Sequence, residues 1–194
     1  MLNVWDNEGV RYSEPKVKAI GIETVKSSTP TACKAALKDA IKIILNQTEE
    51  DLIAYVSRFE AGFGSLDFDE IAFPRGVNGM TKYRDAATLF KKGCPIGPKA
   101  ALIYNWAIET KGLTGKYPPA SDGDKIKFAY LKKLNPLRLP VIGCPGVLPA
   151  ELNLAKYIDY DVLYEKGFLN PLKSITDAIG WNTEHRSTLE SWFT

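Results

Sequence analysis

The chain has 194 residues, 45% of them hydrophobic and 25% charged, with a net charge of +2. That composition fits one or two small globular domains and argues against wholesale disorder. It also argues against a membrane partner. The most apolar run, Leu139 to Ala150, is broken by Pro140, Pro145 and Pro149, and nothing approaches the ~20 apolar residues of a span. The N-terminus MLNVWDNEGVRY has neither the basic region nor the apolar region of a secretory signal. Cys33, Cys94 and Cys144 form no CxxC pair, and the only histidine is His185. A structural zinc needs four ligands in closely spaced pairs, so no metal site is expected. An odd cysteine count without a signal fits a reducing cytosol.

The small net charge conceals an uneven distribution. From Arg75 to Arg138 there are 13 Lys and Arg against 4 Asp and Glu, a net of +9. From Glu49 to Glu70 the counts are 1 and 7, and from Leu139 to Thr194 they are 4 and 7. A basic middle between acidic flanks suits a surface aimed at a polyanion. A solvated lysine-rich surface gives the same counts, and charge alone does not separate the two.

In chain order, residues 1–25 read as short extended segments punctuated by Gly9 and Gly21, with Pro15 arguing against a central strand. Thr29 as cap and Pro30 at the first position predict a helix whose apolar face carries Cys33, Leu37, Ala40, Ile41 and Ile44. Lys34, Lys38 and Lys42 form a solvent stripe on it. A second helix is predicted from Thr48. Glu49, Glu50 and Asp51 fill its first turn, where the helix dipole favours negative charge, and Leu52, Tyr55, Val56, Phe59 and Phe63 follow at helical spacing. The short Asn46-Gln47 link predicts an antiparallel pair. Phe68 to Phe73 is a candidate strand, and 77–98 is basic and loop-rich. Pro98 is a candidate helix start, with Leu102, Ile103, Trp106 and Ala107 behind it. Residues 111–124 read as a long loop or tip. Lys125 to Tyr130 alternates, with Ile126, Phe128 and Tyr130 on one face and Lys125 and Lys127 on the other, as in a half-buried strand. Helix is predicted again from about Leu152 to Lys166 and from Pro171 to Ile179, with Gly180 as its stop.

The chemistry of catalysis is not apparent. Asp67, Asp69 and Glu70 invite a two-metal reading, but no other carboxylates are clearly paired with them, and an independent nuclease is disfavoured for that reason. Ser27 and Ser28 lack an evident His/Asp partner, and neither GxxxxGK[ST] nor GxGxxG occurs. What remains is a binding pattern. In Lys26-Ser27-Ser28-Thr29-Pro30 a lysine, hydroxyls and a helix start converge, which suits a phosphate or a carboxylate. A plain helix cap would account for Thr29 equally well.

Several stretches, in order, carry a family likeness. They are Asn3-Val4-Trp5-Asp6 with Glu8-Gly9, Arg11-Tyr12, Gly21-Ile22-Glu23-Thr24 with Lys26-Ser27-Ser28-Thr29-Pro30, and Lys82-Tyr83. Further on come Gly97-Pro98-Lys99, Tyr104-Asn105 with Ala107-Ile108, Asn135-Pro136, and Asp159-Tyr160 through Pro171-Leu172. Together they resemble the T-even-type phage replicative DNA polymerases of family B, over nearly the whole chain. The GIETxKSSTP stretch is the most specific. The chain departs from the family pattern at Leu137-Arg138-Leu139-Pro140, at Lys99, where arginine is usual, and around Phe90-Lys91-Lys92.

The resemblance implies an α+β fold: a mainly helical thumb with a small sheet-bearing tip, preceded by a few palm-derived extended segments. Residues 1–25 would end the palm, 26–186 would form the thumb with its basic irregular tip at about 68–150, and 187–194 would be a clamp-binding tail. It implies a DNA-binding part of a DNA-directed DNA polymerase, gripping primer–template duplex through Lys26, Ser27, Ser28, Arg75, Lys82, Lys99, Lys125 and Lys127. Leu189, Trp192 and Phe193 would meet the sliding clamp. The catalytic carboxylates and their magnesium would lie in an upstream polymerase chain. This chain, a split-gene product or a truncated copy, would hold no catalytic residue, metal or cofactor and would be inactive alone. The expected setting is the cytoplasm of the infected bacterial host. The competing reading is a free-standing, sequence-independent DNA-binding or adaptor module.

Overall fold

A computed structural model describes residues 2–5, 7–17 and 26–184. The leading segments form a two-stranded antiparallel hairpin, β1 (Leu2–Trp5) and β2 (Arg11–Val17). Pro15 lies in β2, where a two-stranded sheet leaves one edge without a ladder and tolerates a missing donor.

Two helices follow, α1 (Thr31–Asn46) and α2 (Glu49–Phe63). The start of α1 differs from expectation by one place. Pro30 is the half-helical residue, with an extended ψ of 149°, and its carbonyl accepts the first helical bond from Lys34 at 2.8 Å. Thr29, one place further out, is buried. At α2 the acidic first turn works as expected. The Asp51 N–H donates to the Thr48 hydroxyl, and the Thr48 N–H donates back to the Asp51 carboxylate at 3.1 Å, two end groups satisfied reciprocally. The Thr48 hydroxyl, which donates to the Asp51 carboxylate at 2.7 Å, lowers the Asp51 pKa, and the Thr48 N–H adds to the effect. The helices pack together, and the Tyr55 hydroxyl donates to the Ala36 carbonyl.

Phe68 to Phe73 is not one strand. It divides into a single helical turn, α3 (Phe68–Ile71), and the start of β3 (Phe73–Gly76). The reason is local: the Glu70 carboxylate accepts the Asp67 N–H at 3.3 Å and closes a turn before the strand begins. A second short helix, α4 (Met80–Tyr83), and a small ladder of β4 (Arg84–Asp85) with β5 (Leu89–Phe90) occupy the loop-rich stretch. Helix α5 (Ile96–Thr110) starts two residues before Pro98, because a proline in the first turn removes an N–H that has no helical partner there.

The central sheet has the order β3-β6-β7, all antiparallel, with β6 at Lys125–Tyr130 and β7 at Val141–Cys144. Strand β7 escapes the sequence reading because flanking prolines mask a four-residue apolar run. Helix α5 lies on the sheet at Gly143, where a Cβ would stand 2.8 Å from the Ala100 Cβ. The predicted helix Leu152 to Lys166 is broken into two 3-10 turns (Ala150–Leu152 and Ala155–Tyr157), α6 (Tyr160–Tyr164) and a π-helical turn (Glu165–Leu169). Helix α7 (Asn170–Ile179) then ends at Gly180, whose φ of 74° is left-handed. An aromatic cluster of Phe59, Phe63, Tyr164 and Phe168, with ring centroids 4.7 to 6.1 Å apart, joins α2 to the C-terminal helices. Phe63 and Phe168, the fully buried phenylalanines of the cluster, each contribute about 1.5–3 kcal/mol of hydrophobic stabilisation.

Two side-chain amides brace the loops. Asn105 on α5 exchanges two bonds of 2.8 Å with the Ala120 backbone, and the neighbouring Tyr104 hydroxyl donates to the Pro118 carbonyl. The tip 111–124 is thereby pinned to the helix. Its outer side is clasped by Lys116 and Tyr117, both bonded to Glu151. The Lys116 ammonium holds the Glu151 carboxyl down to about 2 from an ordinary 4.5. The folded value lies below the unfolded one, so this contribution is complete above about 4.5 and is lost as the pH falls towards about 2. Asn135, 5% exposed, plays the same role in the β6–β7 loop. Its amide nitrogen donates to the Lys132 and Leu139 carbonyls at 2.7 and 2.9 Å, and its oxygen accepts from the Leu137 and Leu139 N–H groups. Asn135→Ala strands those backbone groups, and a loss of about 1–3 kcal/mol in denaturant unfolding is expected.

Candidate nucleic-acid interface

Residues directly opposite in antiparallel strands share a face. The pairings Phe73 to Phe128, Arg75 to Ile126 and Phe128 to Gly143 therefore put Phe73, Arg75, Ile126, Phe128, Tyr130 and Gly143 on one side of the sheet. Lys125 and Lys127 fall on the other. Helix α5 covers the first face at Gly143. The uncovered part of that face forms one wall of an open cleft of about 570 Å³. The turn before α1 gives Ser28 and Thr29 to a second wall, and the π-helical turn and α7 give Lys166, Gly167, Asn170 and Ser174 to a third.

The cleft has an aromatic floor and a polar rim. The Phe73 and Phe128 rings stack with centroids 5.5 Å apart, and Tyr130 meets Phe128 edge-on at 5.6 Å. The Lys166 ammonium lies 5.7 Å from the Tyr130 ring centroid, within range of a cation–π contact that leaves its donors open to the cleft. Arg75 is half-buried, Ser28 half-buried and Lys166 exposed. The π-helical turn presents Lys166 beside Gly167, where a Cβ would stand 2.8 Å from the Cys33 sulfur. The missing side chain thus lets this turn close against α1 and sets the width of the cleft. Burial pushes the Cys33 thiol up to about 12, so it acts as a packing group.

The eight cationic and hydroxyl residues expected to bind DNA are divided by the fold. Ser28 and Arg75 share the cleft. Lys26 and Ser27 are exposed in the turn leading to it, where the Lys26 carbonyl accepts the Thr29 N–H. Lys82 is exposed on α4, 5.3 Å from the Tyr83 ring centroid, and Lys99 reaches over Phe90 at the same distance. Lys125 is exposed on the opposite face of the sheet from the cleft, and Lys127 there is bound to the Asp69 carboxylate and carbonyl. Lys166, Asn170 and Ser174 were not singled out in the sequence, because they lie in its net-acidic last third. Leu189, Trp192 and Phe193 lie outside the described residues. The carboxylates that invited a metal reading have local duties, Asp69 to Lys127 and Glu70 to the Asp67 N–H. Among the described residues no group of three or more His, Cys, Asp or Glu side chains is placed to hold a metal ion. None of the described helices is long and apolar enough to cross a membrane.

Comparison with known proteins identifies the likeness. The DNA-directed DNA polymerase of Escherichia phage RB69 is 38% identical over 196 aligned residues, and that of Enterobacteria phage T4 is 33% identical over 196. The chain is related to the T-even-type phage DNA polymerases. In both cases the match takes in 99% of this chain and 21% of the relative, so the chain spans about one fifth of the polymerases it matches. No family model matches it. The family resemblance thus extends over nearly the whole chain.

Gly167 offers a direct test of the cleft wall. An alanine there would gain up to about 1 kcal/mol in helix propensity, but its methyl would press on Cys33 behind it. Overpacking costs about 1–3 kcal/mol, so Gly167→Ala is expected to lower the melting temperature in calorimetry despite the better helix former.

Proposed function

We propose that this chain grips primer–template duplex as the thumb end of a family B DNA-directed DNA polymerase. The magnesium-dependent chemistry would be supplied by polymerase sequence outside the chain. The observation that carries the reading is the cleft that unites Ser28, Arg75 and Lys166, in a chain related over 99% of its length to DNA polymerases. Arginine, lysine and hydroxyl donors fix phosphates in place without reading bases. A replicative enzyme needs that kind of hold. The aromatic floor keeps the donors at fixed positions, because Phe73 and Phe128 are buried and stacked.

The test is titration of labelled primer–template with the purified 194-residue chain. Binding is expected to be indifferent to sequence and salt-sensitive, with a log–log slope near −4 if about four phosphates are neutralised. Arg75→Ala and Lys166→Ala are each expected to lower affinity roughly tenfold, the size of one charge-assisted hydrogen bond. Lys125→Ala with Lys127→Ala is expected to have the smaller effect, since Lys127 already holds Asp69. A flat salt response, strong sequence preference or magnesium-dependent primer extension by this chain alone would overturn the reading.

A continuous core within residues 26–184 favours a second reading, a free-standing DNA-binding or adaptor module. Stimulation of an upstream polymerase fragment by the added chain separates the two. Tethering to a sliding clamp is the further part of the proposal. Leu189, Trp192 and Phe193 have the spacing of one helical turn and could present a single apolar face to a groove. Deleting residues 189–194 is expected to leave melting and duplex affinity unchanged and to abolish clamp pull-down. A large fall in melting temperature with clamp binding intact would make the tail part of the core.

A further inference from the structure

The β6–β7 loop has features that the cleft does not explain. Leu134 at its apex is 91% exposed, the highest value among the large hydrophobic residues described. A single exposed leucine is ordinary, but this one is held out on a braced support. Below it, Asn135 is buried and bonded to four backbone groups of the same loop. The base is fixed by the Leu131 N–H on the Pro140 carbonyl and the Lys132 N–H on the Tyr157 carbonyl. Arg138 takes a left-handed φ of 53°, a conformation that costs a residue with a Cβ and persists where surrounding contacts impose it.

The apex is also strongly cationic. Lys132, Lys133 and Arg138 flank Leu134, all exposed, and none of the ion pairs among the described residues draws on them. A rigid apolar tip among unpaired cations fits a groove that is anionic along both rims and apolar along its walls. A DNA duplex has that chemistry, with phosphates at the rims and deoxyribose carbons along the walls. An RNA strand lines the same walls with 2′-hydroxyls, which an apolar tip can only desolvate without pairing.

We infer that Leu134 is a specificity-determining residue that selects deoxyribose over ribose in the bound duplex, while Lys132, Lys133 and Arg138 hold the loop to the phosphates. This rests on the duplex-gripping reading and adds a discrimination to it. The rigidity supplied by Asn135 is what makes the selection possible, since a yielding loop would withdraw from the hydroxyls.

The experiment compares binding of the 194-residue chain to three duplexes of one sequence: DNA·DNA, RNA·DNA and RNA·RNA. The wild type is expected to favour DNA·DNA by roughly threefold to tenfold, the effect of desolvating polar groups without partners. Leu134→Ala and Leu134→Ser are expected to bring the three affinities together without moving the melting temperature or the salt slope. Lys132→Ala with Lys133→Ala is expected to weaken all three alike and make the slope shallower by up to about 2. A wild type that binds all three equally, or a preference that survives both Leu134 variants, overturns the inference and leaves the grip standing. Failure of the wild type to bind any duplex at low salt overturns both. Leu134-dependent binding to phosphatidylserine vesicles, with duplex affinities unchanged by the variants, would assign the tip to a membrane surface and overturn it as well.

Discussion

The fold depends on how closely two helical segments approach their neighbours. At Gly143 the sheet has no side chain to hold α5 away, and Ala100 occupies the space a Cβ would need. At Gly167 the π-helical turn closes onto Cys33 in the same way. Protein interiors are packed like crystals, so a displacement of one methyl group at either place is transmitted rather than absorbed. The first approach covers one half of the sheet face, and the second brings a wall up to the other half. The cleft is the space between the two closures.

This arrangement changes the meaning of the charge pattern. The +9 middle is not one patch. It reaches the surface in several directions: Arg75 into the cleft, Lys125 and Lys127 behind the sheet, and Lys132, Lys133 and Arg138 at a loop apex. Some of it is neutralised locally, by Asp69 on Lys127 and by Glu151 on Lys116. The cleft in turn takes a lysine from the acidic last third of the chain. Linear charge gives the sign of the partner, and only the pairing of strands and helices says which cations share a face.

What could be read from the sequence was whatever is decided locally. The acidic first turn of α2, the alternation of Lys125 to Tyr130 and the stop at Gly180 all appear as expected, because each is fixed within a few residues. Readings failed where a local bond cut across periodicity. Glu70 turned the first half of a strand-like run into a helical turn, and the segment from Leu152 to Lys166, predicted as one helix, broke into 3-10, α and π turns. At the candidate site the alternation in β6 already separated Lys125 and Lys127 from the aromatic face. It could not say which of the two faces would be left open, since that is settled by where α5 comes to rest. The family likeness supplied the polymerase relationship that residue chemistry alone could not. Two of the residues that carried it, Asn105 and Asn135, prove to be loop braces.

The contact between Glu49 and Asn182 has a geometric consequence. The Asn182 side-chain amide donates to the Glu49 carboxylate at 2.8 Å, and the Asn182 backbone N–H donates to the same oxygen, a link across 133 positions of sequence. The chain beyond Glu184 therefore sets out from a fixed point beside the first turn of α2. Trp192 lies eight residues past Glu184, and a fully extended chain covers about 3.3–3.6 Å per residue, so its leash is at most roughly 30 Å long. Any groove that receives Trp192 must fall inside a sphere of that radius centred near α2.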